Sequence, residues 1–390
     1  WGIARDLYAY FRHHGYQVSL TKPEVEPFAP DNTDNPVAVE ISDTDGCKRY
    51  SGITVTGITV GQSPEWLQQR LKAIGLAPIN NVVDVTNYVL HETGHPLHAF
   101  DVDKIEGKKI IIGTLPEKTP FKALDEETYE LSAEDLMICN EKEGMCIAGV
   151  FGGADSGVQD GTTSVFIESA YFDPVYVRKT SKRHLLHTDA AYRFERGADP
   201  NITLYAMKRA ALLIKEVAGG HISSDIVDAY PEPFGRRKVR LRYSHVDRLL
   251  GITIPQDAIK SILEDLEFKV LKEDTESLFL DVPLYRVDVT READVVEEIL
   301  RIYGYDNIAY SDEVKSSIAY TQKPDDFRLT EIISGQLAGA GFAEAMTMSM
   351  HPKAFYQGKE GFDTATLVEL ANPLSRELNV MRQTLVHGHL

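Results

Sequence analysis

The sequence predicts a multidomain α+β protein, and three observations carry that prediction. At 390 residues the chain is too long for a typical single domain. Apolar stripes at helical spacing occur in some segments, while 108–170 is rich in short strand-like runs broken by Gly and Asp turns. A turn-rich boundary, Tyr230-Pro231-Glu232-Pro233-Phe234-Gly235, then separates a second compact unit from the first.

In order, residues 3–13 read as the end of a helix, and the proline-rich, acidic stretch 21–36 reads as a linker. Strands are expected at Val37–Ile41 and Ile53–Val60. Ser63-Pro64-Glu65 reads as a helix start with Ser as N-cap, and Leu67, Leu71 and Ile74 follow before Gly75 closes it. Asn80 and Asn81 open a second helix with the stripe Val82, Val85, Val89 and a stop at Gly94. Asp173-Pro174 and Asp199-Pro200 repeat the capped-helix signal. After the second of these, Leu204, Met207, Ala211, Ile214 and Val217 make one apolar face, ended by Gly219-Gly220. The whole stretch 36–230 reads as one α+β domain.

The second unit, 236–308, opens a helix near Pro255 with Ala258, Ile259, Ile262, Leu263 and Leu266 facing inward. Two alternating strands, Phe268/Val270 and Leu278/Leu280/Val282, flank an acidic turn, and Glu292–Tyr303 reads as a helix. Helices plus a hairpin wing predict a small winged-helix-like module. A linker, Ala309–Pro324, leads to a segment with a helix through Leu329, Ile332, Ile333 and Leu337 and a strand over Phe342–Met350. That segment is too short to be a complete domain with its own core.

Composition narrows the class. Hydrophobic content of 43% and charged content of 26% fit a globular protein with real cores. No apolar run approaches the roughly 20 residues of a membrane span, and neither a signal peptide nor a lipidation box is present. Opening on Trp1 and closing on Leu390, the chain reads as a fragment of something longer. Cys47, Cys139 and Cys146 are few, odd in number and not spaced as C-x-x-C, which favours a reducing compartment and disfavours a zinc site. Cys139 and Cys146 read as small buried apolar residues.

A net charge of −18 repels nucleic acid, so any such binding must use local patches. Two basic islands exist. Residues 178–196 carry six Lys/Arg (Arg178, Lys179, Lys182, Arg183, Arg193, Arg196) against Asp189 and Glu195, and the second island is Arg236-Arg237-Lys238-Val239-Arg240-Leu241-Arg242. The plain alternative is a solvated helix face and an edge strand guarded by charge.

Glu168 stands out because it is the one charge in Ser164-Val165-Phe166-Ile167-Glu168-Ser169-Ala170-Tyr171-Phe172. A carboxylate there is either on a solvated strand face or buried with a hydrogen-bond donor to satisfy it, which makes it a candidate reader of a ligand hydroxyl. His98, the glycines of Gly149-Val150-Phe151-Gly152-Gly153 and Thr188 supply further polar or close-approach groups. The glycine run is no phosphate loop, since no Gly-Lys-Ser/Thr follows; it marks a tight turn or bulge, or backbone approach to a ligand. His98 reads as a satisfied structural residue or a pocket residue, and no nucleophile–His–acid set is identifiable by spacing. Asp288, Asp294, Glu297 and Glu298 form the densest acidic cluster, the last three sharing a helix face at i, i+3 and i+4. Such carboxylates await a cation such as Mg2+ or a subunit contact, or else favour the helix N-terminus through its dipole.

Together these segments resemble the beta subunit of bacterial phenylalanyl-tRNA synthetase. The matching stretches are Asn80-Asn81-Val82-Val83-Asp84-Val85-Thr86-Asn87-Tyr88, His98-Ala99-Phe100-Asp101, Gly149-Val150-Phe151-Gly152-Gly153, Phe166-Ile167-Glu168-Ser169-Ala170, His187-Thr188-Asp189-Ala190, Arg193-Phe194-Glu195-Arg196-Gly197 and Tyr303-Gly304-Tyr305. They run in order over nearly the whole chain.

The resemblance implies a residual N-terminal helix and linker at 1–35 and an editing domain of mixed α/β layers at 36–230. It further implies a winged-helix-like module at 236–308 and, at 311–390, the start of a class II synthetase-like antiparallel domain that does not aminoacylate. Asn372 to Leu385, with Met381-Arg382, resembles that fold's second motif. The N-terminal OB-type and C-terminal anticodon-binding domains of the family are not matched. The implied activity is hydrolysis of Tyr-tRNA(Phe) made in error, alongside Phe-tRNA(Phe) synthesis by an alpha subunit that binds ATP. The implied partners are that alpha subunit, in a heterotetramer of two alpha and two beta chains, and tRNA(Phe), in the cytoplasm with no membrane.

Residue by residue, Glu168 matches the reader of the tyrosine hydroxyl. His98, Gly152, Thr188 and Ala190 match other pocket positions, with His98, Glu168 and Thr188 as the candidate catalytic set, and Thr86 is a candidate lining residue. Asp288, Asp294, Glu297 and Glu298 match Mg2+ positions shared with the alpha subunit. Island 178–196 becomes a candidate contact for the tRNA acceptor end. The alternative is a scaffold that binds tRNA and the alpha subunit around an inert pocket.

Overall fold

The computed structural model describes residues 1–309, 316–318 and 325–389. The chain divides into two units, Trp1–Tyr310 and Ser311–Leu390. Both mix helices with small sheets, as the α+β prediction requires.

The first unit opens with helix α1 (Gly2–His13) and strands β1 (Ala38–Ile41) and β2 (Cys47–Thr56), then α2 (Glu65–Ala73) and α3 (Asn81–Thr93). Strands β3 (His98–Asp101), β4 (Lys109–Thr114), β5 (Pro120–Lys122), β6 (Thr128–Glu130), β7 (Leu136–Cys139), β8 (Gly144–Ile147), β9 (Phe151–Gly152) and β10 (Ser164–Phe172) follow. Helices α4 (Pro174–His184), α5 (Asp189–Phe194) and α6 (Thr203–Ala218) lead to β11 (His221–Ile222) and β12 (Val227–Ala229).

Two sheets frame this region. One runs β1-β4-β7-β8-β9, and the other runs β11-β2-β10-β3 with β12 also on β2. Alternation along β10 explains how the second sheet serves two cores. Phe166, Ala170 and Phe172 join a cluster with Ile110, Ile112 and Ile138 of the first sheet, while Val165 and Ile167 pack with Val82, Val85, Met207 and Ile214. The predicted stripes of α3 and α6 therefore cover the far face of that sheet. Helix α3 starts at Asn80, whose side-chain oxygen accepts from the N–H groups of Val82 and Val83, and stops at Gly94 with φ 80°.

Several boundaries differ from expectation. Strand β2 starts at Cys47, well before Ile53, because the polar residues in its first half find partners. Arg49 Nε and Nη2 donate to Asp228 of β12 at 2.9 and 2.7 Å, and Ser51 Oγ donates to it at 2.7 Å. Ser63 does not cap α2; its hydroxyl donates instead to Asp84 at 2.5 Å, and Pro64 takes the cap position. Asp199 accepts from the N–H of Asn201 in a turn, so α6 begins only at Thr203.

The rest of the first unit comprises β13 (Arg237–Arg242), α7 (Tyr243–Leu250), α8 (Gln256–Asp265), β14 (Lys269–Glu273), β15 (Ser277–Val282) and α9 (Glu292–Tyr303). The sheet order is β13-β15-β14, so the basic island 236–242 forms an edge strand. Leu241, Val246, Ile262, Leu280 and Ile299 form its core, and Ala9 of α1 packs into it.

The second unit contains α10 (Asp326–Gly339), β16 (Met350–His351), β17 (Val380–Met381) and α11 (Val386–His389). Most of linker 309–324 lies outside the described residues. Of the strand expected over Phe342–Met350, only its end pairs, Met350 with Met381. Phe342 and Met346 are exposed, so the apolar pattern there lacks a partner strand among the described residues. Ile332, Ile333 and Leu337 of α10 are likewise exposed, and the small core is Tyr356, Leu367 and Val380.

Candidate functional site

Strand β10 places Glu168 between His98 of β3 and Gly52 of β2, each its direct cross-strand partner. Direct partners project to the same face. Gly52 carries no side chain for a reason visible here: a Cβ would lie 1.9 Å from Phe166 Cζ, so the Phe166 ring occupies that space. Glu168 and His98 open into a cavity of about 430 Å³ that Thr86, Gly152, Thr188 and Ala190 also line. All six pocket residues expected from sequence thus meet, brought together by α3, β3, β9, β10 and α5 and its cap.

Glu168 is buried, at 5% exposure. Burial raises its pKa to about 8, and a hydrogen bond from Tyr50 Oη to Oε2 at 3.2 Å partly opposes that rise. His98 stands edge-on to Phe100 with centroids 4.5 Å apart. Its Nε2 is buried without a partner among the described residues, and burial lowers its pKa to about 4. The imidazole is therefore neutral near neutral pH, with a ring nitrogen left for a ligand or water.

Thr188 is the N-cap of α5. Its Oγ1 donates to the Val150 carbonyl at 2.8 Å and accepts from the Ala191 N–H at 3.1 Å. That hydroxyl ties the helix to the glycine turn and is already engaged, which suits positioning better than proton transfer. Thr86 Oγ1 donates to the Val83 carbonyl at 2.8 Å. Gly152 is a close-approach position: a Cβ would lie 2.8 Å from Leu124 Cδ1 and 3.2 Å from His98 Cε1.

Sequence reasoning missed Tyr50 and Cys146. Cys146 lines the cavity and is buried, with a thiol pKa pushed up by burial and by Glu168. Tyr50 lies in a polar run, Lys48-Arg49-Tyr50-Ser51, that carries no apolar alternation, so nothing local announced its inward direction. His95 is also fully buried, with both ring nitrogens unpartnered among the described residues and a pKa lowered to about 3 by burial and by Arg49. It does not line the cavity. The three cysteines are free and buried, which for Cys139 and Cys146 is the burial expected from sequence.

The acidic cluster lies apart, around the start of α9. Asp294 Oδ2 accepts from the N–H groups of Thr290 and Arg291 at 2.9 and 3.0 Å, and Arg291 Nε donates to Oδ1 at 3.1 Å. These bonds, the Thr290 N–H first, hold its pKa down at about 2. Glu298 is buried and accepts from Arg286 Nη2 at 2.8 Å and Arg301 Nη2 at 2.9 Å, while Glu297 is exposed. The expected shared face is thus split, and arginines and backbone already answer two of the four carboxylates. As arranged here, Asp288, Asp294, Glu297 and Glu298 do not fit a Mg2+ ion. Among the described residues no group of three or more His, Cys, Asp or Glu is placed to hold a metal.

On the basic island, Arg178, Lys179 and Lys182 are exposed on α4. Arg183 pairs with Glu134 at 2.8 Å, and Arg193 with Asp189 at 2.8 Å. Among the described residues no helix is long and apolar enough to cross a membrane.

Comparison with known proteins agrees with the sequence resemblance. A B3/4 domain family matches residues 46–219, a tRNA synthetase B5 domain family matches 239–305, and a phenylalanyl tRNA synthetase beta chain CLM domain family matches 312–390. The chain is 51% identical over 393 residues to a phenylalanine–tRNA ligase beta subunit of Bacteroides fragilis, covering 100% of this chain and 48% of that protein. It is 51% identical to the Bacteroides thetaiotaomicron counterpart and 46% to that of Porphyromonas gingivalis, with the same coverages. The chain spans about half the length of the curated relatives it matches.

Proposed function

Since this chain belongs to the phenylalanine–tRNA ligase beta-subunit family, we propose that its cavity hydrolyses Tyr-tRNA(Phe) made in error. The observation that carries the proposal is Glu168: one buried carboxyl group, set in an apolar strand and facing a cavity that fits an aromatic side chain. A tyrosine phenol satisfies it in either protonation state, accepting from the acid or donating to the carboxylate. Phenylalanine leaves the carboxyl oxygen that Tyr50 does not bond without a partner. Sites built to bond a hydroxyl reject the analogue lacking it by roughly 10⁴–10⁵ in favourable cases. The synthetic site faces the harder task of excluding an added oxygen, which is why a second sieve is useful.

The reaction is attack of water on the carbonyl carbon of the aminoacyl ester, with the bond to the terminal ribose oxygen breaking and that oxygen taking up a proton. Neutral His98, with Nε2 unclaimed, is placed to hold the water or the ester. Thr188 ties the α5 cap to Val150 at the cavity wall, and Gly152, Ala190 and Thr86 line the same space. Positioning carries the rate more than a dedicated base, with the neighbouring ribose hydroxyl assisting.

In this reading, residues 36–230 are the editing domain, 236–308 a winged-helix-like module, and 311–390 part of the class II synthetase-like domain. The alpha subunit binds ATP and makes Phe-tRNA(Phe) within a cytoplasmic assembly of two alpha and two beta chains, and Arg178, Lys179 and Lys182 meet the tRNA acceptor end. Any Mg2+ at α9 would need the alpha subunit to rearrange the arginine pairs, so no step is routed through it.

The test is deacylation of Tyr-tRNA(Phe) and Phe-tRNA(Phe) by this chain and by Glu168→Ala, each with and without the alpha subunit. Hydrolysis of the tyrosyl ester alone, with the preference lost in the variant, supports the reading. Activity only with the alpha subunit means that the partner delivers the tRNA. No hydrolysis in either condition favours an inert scaffold.

A further inference from the structure

Glu168 has two carboxyl oxygens and the cavity needs one of them in a fixed direction. Tyr50 sits on β2, two positions from Gly52, the residue directly across from Glu168. Its ring is fully buried in the core shared by the two sheets, and its hydroxyl donates to Glu168 Oε2 at 3.2 Å. The one hydrogen bond to this carboxyl among the described residues goes to Oε2, which leaves Oε1 open, and Glu168 lines the cavity. A buried phenol whose only hydrogen bond among the described residues goes to a buried carboxyl does more than fill space. Ring packing alone would be met by phenylalanine without placing a hydroxyl in the interior.

We propose that Tyr50 is a positioning residue for specificity: it occupies Glu168 Oε2 and thereby presents Oε1 to the phenol of the incoming tyrosyl group. This rests on the editing function proposed above. The arrangement also sets where a proton resides. With the Tyr50 O–H spent on Oε2, a protonated Glu168 carries its hydrogen on Oε1, where it donates to the ligand phenol oxygen. An ionised Glu168 accepts there instead. Without Tyr50, the carboxyl is free to turn, and phenol recognition loses its fixed partner. The titratable groups facing Glu168 are Tyr50 and Cys47 from β2, His98 from β3 and Cys146 from β8. Tyr50 is the one that donates a hydrogen bond to it.

The experiment uses Tyr50→Phe in the full-length beta subunit assembled with its alpha partner, beside wild type and Glu168→Ala. Tyr-tRNA(Phe) and Phe-tRNA(Phe) deacylation are followed across about pH 6 to 9, the range in which the carboxyl titrates. The expected result is a fall of about tenfold in kcat/KM for the tyrosyl ester, the size of one hydrogen bond to a charged or strongly polar group. Phe-tRNA(Phe) hydrolysis is unchanged, and the Glu168-dependent inflection moves to higher pH, because the donor that favours the carboxylate is gone. A thermal melt close to wild type separates this from misfolding, and a purely structural tyrosine would not move the inflection. If wild type discriminates and Glu168→Ala does not, but Tyr50→Phe matches wild type in rate ratio and pH profile, the Tyr50 role is overturned and editing stands. If wild type itself shows no preference for the tyrosyl ester, both fall together.

Discussion

Glu168 and His98 face each other across one rung of the β10–β3 ladder, and burial holds both near their neutral forms. Two groups that would attract as an ion pair in water are instead both kept from charging, because an apolar interior disfavours the charged state of either. The result is a cavity floor that offers hydrogen bonds without a fixed charge, suited to an uncharged phenol.

Burial of Glu168 makes stability depend on pH. Its folded pKa of about 8 lies above the ordinary 4.5, so between those values the native chain holds a proton that the unfolded chain has lost. That stability is full below the lower value and is lost as pH rises through the upper one. Glu168→Gln keeps an acceptor for Tyr50 and removes the titration. Its melting temperature is expected to exceed wild type most at the alkaline end, by an amount on the order of a few kcal/mol in stability. Thermal melts at stepped pH check this, and parallel curves for the two proteins would refute it. On the acid side His95 and His98 act the other way, and stability falls as pH drops from 6.5 toward their lowered values.

Gly152, which lines the cavity, and its neighbour Gly153 have different reasons to be glycine. At Gly152 a Cβ meets Leu124 and His98 side chains, and half-exposed Leu124 can move aside. At Gly153 a Cβ would sit 2.5 Å from the Met145 carbonyl oxygen, which is backbone and cannot yield cheaply. Gly152→Ala is expected to fold with near-native stability and weaken tyrosyl binding, seen as a raised KM. Gly153→Ala should lose about 1–3 kcal/mol in urea denaturation. Equal effects of the two on stability would contradict this division.

Thr188 acts through its hydroxyl as a cap and tie. Thr188→Val keeps the shape, frees the Ala191 N–H and releases the Val150 carbonyl, and is expected to cost about 0.5–2 kcal/mol. Thr188→Ser restores both bonds and should return stability and deacylation together. Failure of Ser to rescue would mean that the methyl group, packed at the cavity wall, is what matters.

The start of α9 is held by arginine pairs. Glu298→Ala leaves the partly exposed Arg286 and Arg301 with Asp6 as their acidic partner among the described residues, and the lost charged hydrogen bonds are expected to cost about 1.5–3 kcal/mol. Added Mg2+ is expected to leave the melting temperature of this chain unchanged. A millimolar-range Mg2+ stabilisation that Glu298→Ala abolishes would show that the carboxylates do bind the cation without a partner.

Sequence and tertiary structure divided the work along clear physical lines. Local chemistry was legible in the chain: the Asn80 cap and Gly94 stop of α3, the apolar faces of α3 and α6, the Asp173 cap of α4 and the bounds of α9 follow from short-range hydrogen bonding and periodicity. So was the oddity of Glu168, because one carboxylate in an apolar strand is costly wherever that strand goes. The resemblance of ordered motifs then assembled His98, Gly152, Thr188 and Ala190 into one expected pocket.

What the chain could not announce was strand register and partner choice, which depend on residues far apart in sequence. Only the pairing of β2 with β12 shows that polar Arg49 and Ser51 lie in a strand answered by Asp228, and only its pairing with β10 shows that Tyr50 reaches Glu168 across 118 positions. Only the placement of Arg286 and Arg301 shows that Glu298 is buried and paired while its neighbour Glu297 faces solvent. Periodicity fixes which face a side chain takes, but the group waiting on that face is supplied by another segment, and only the folded chain brings it there.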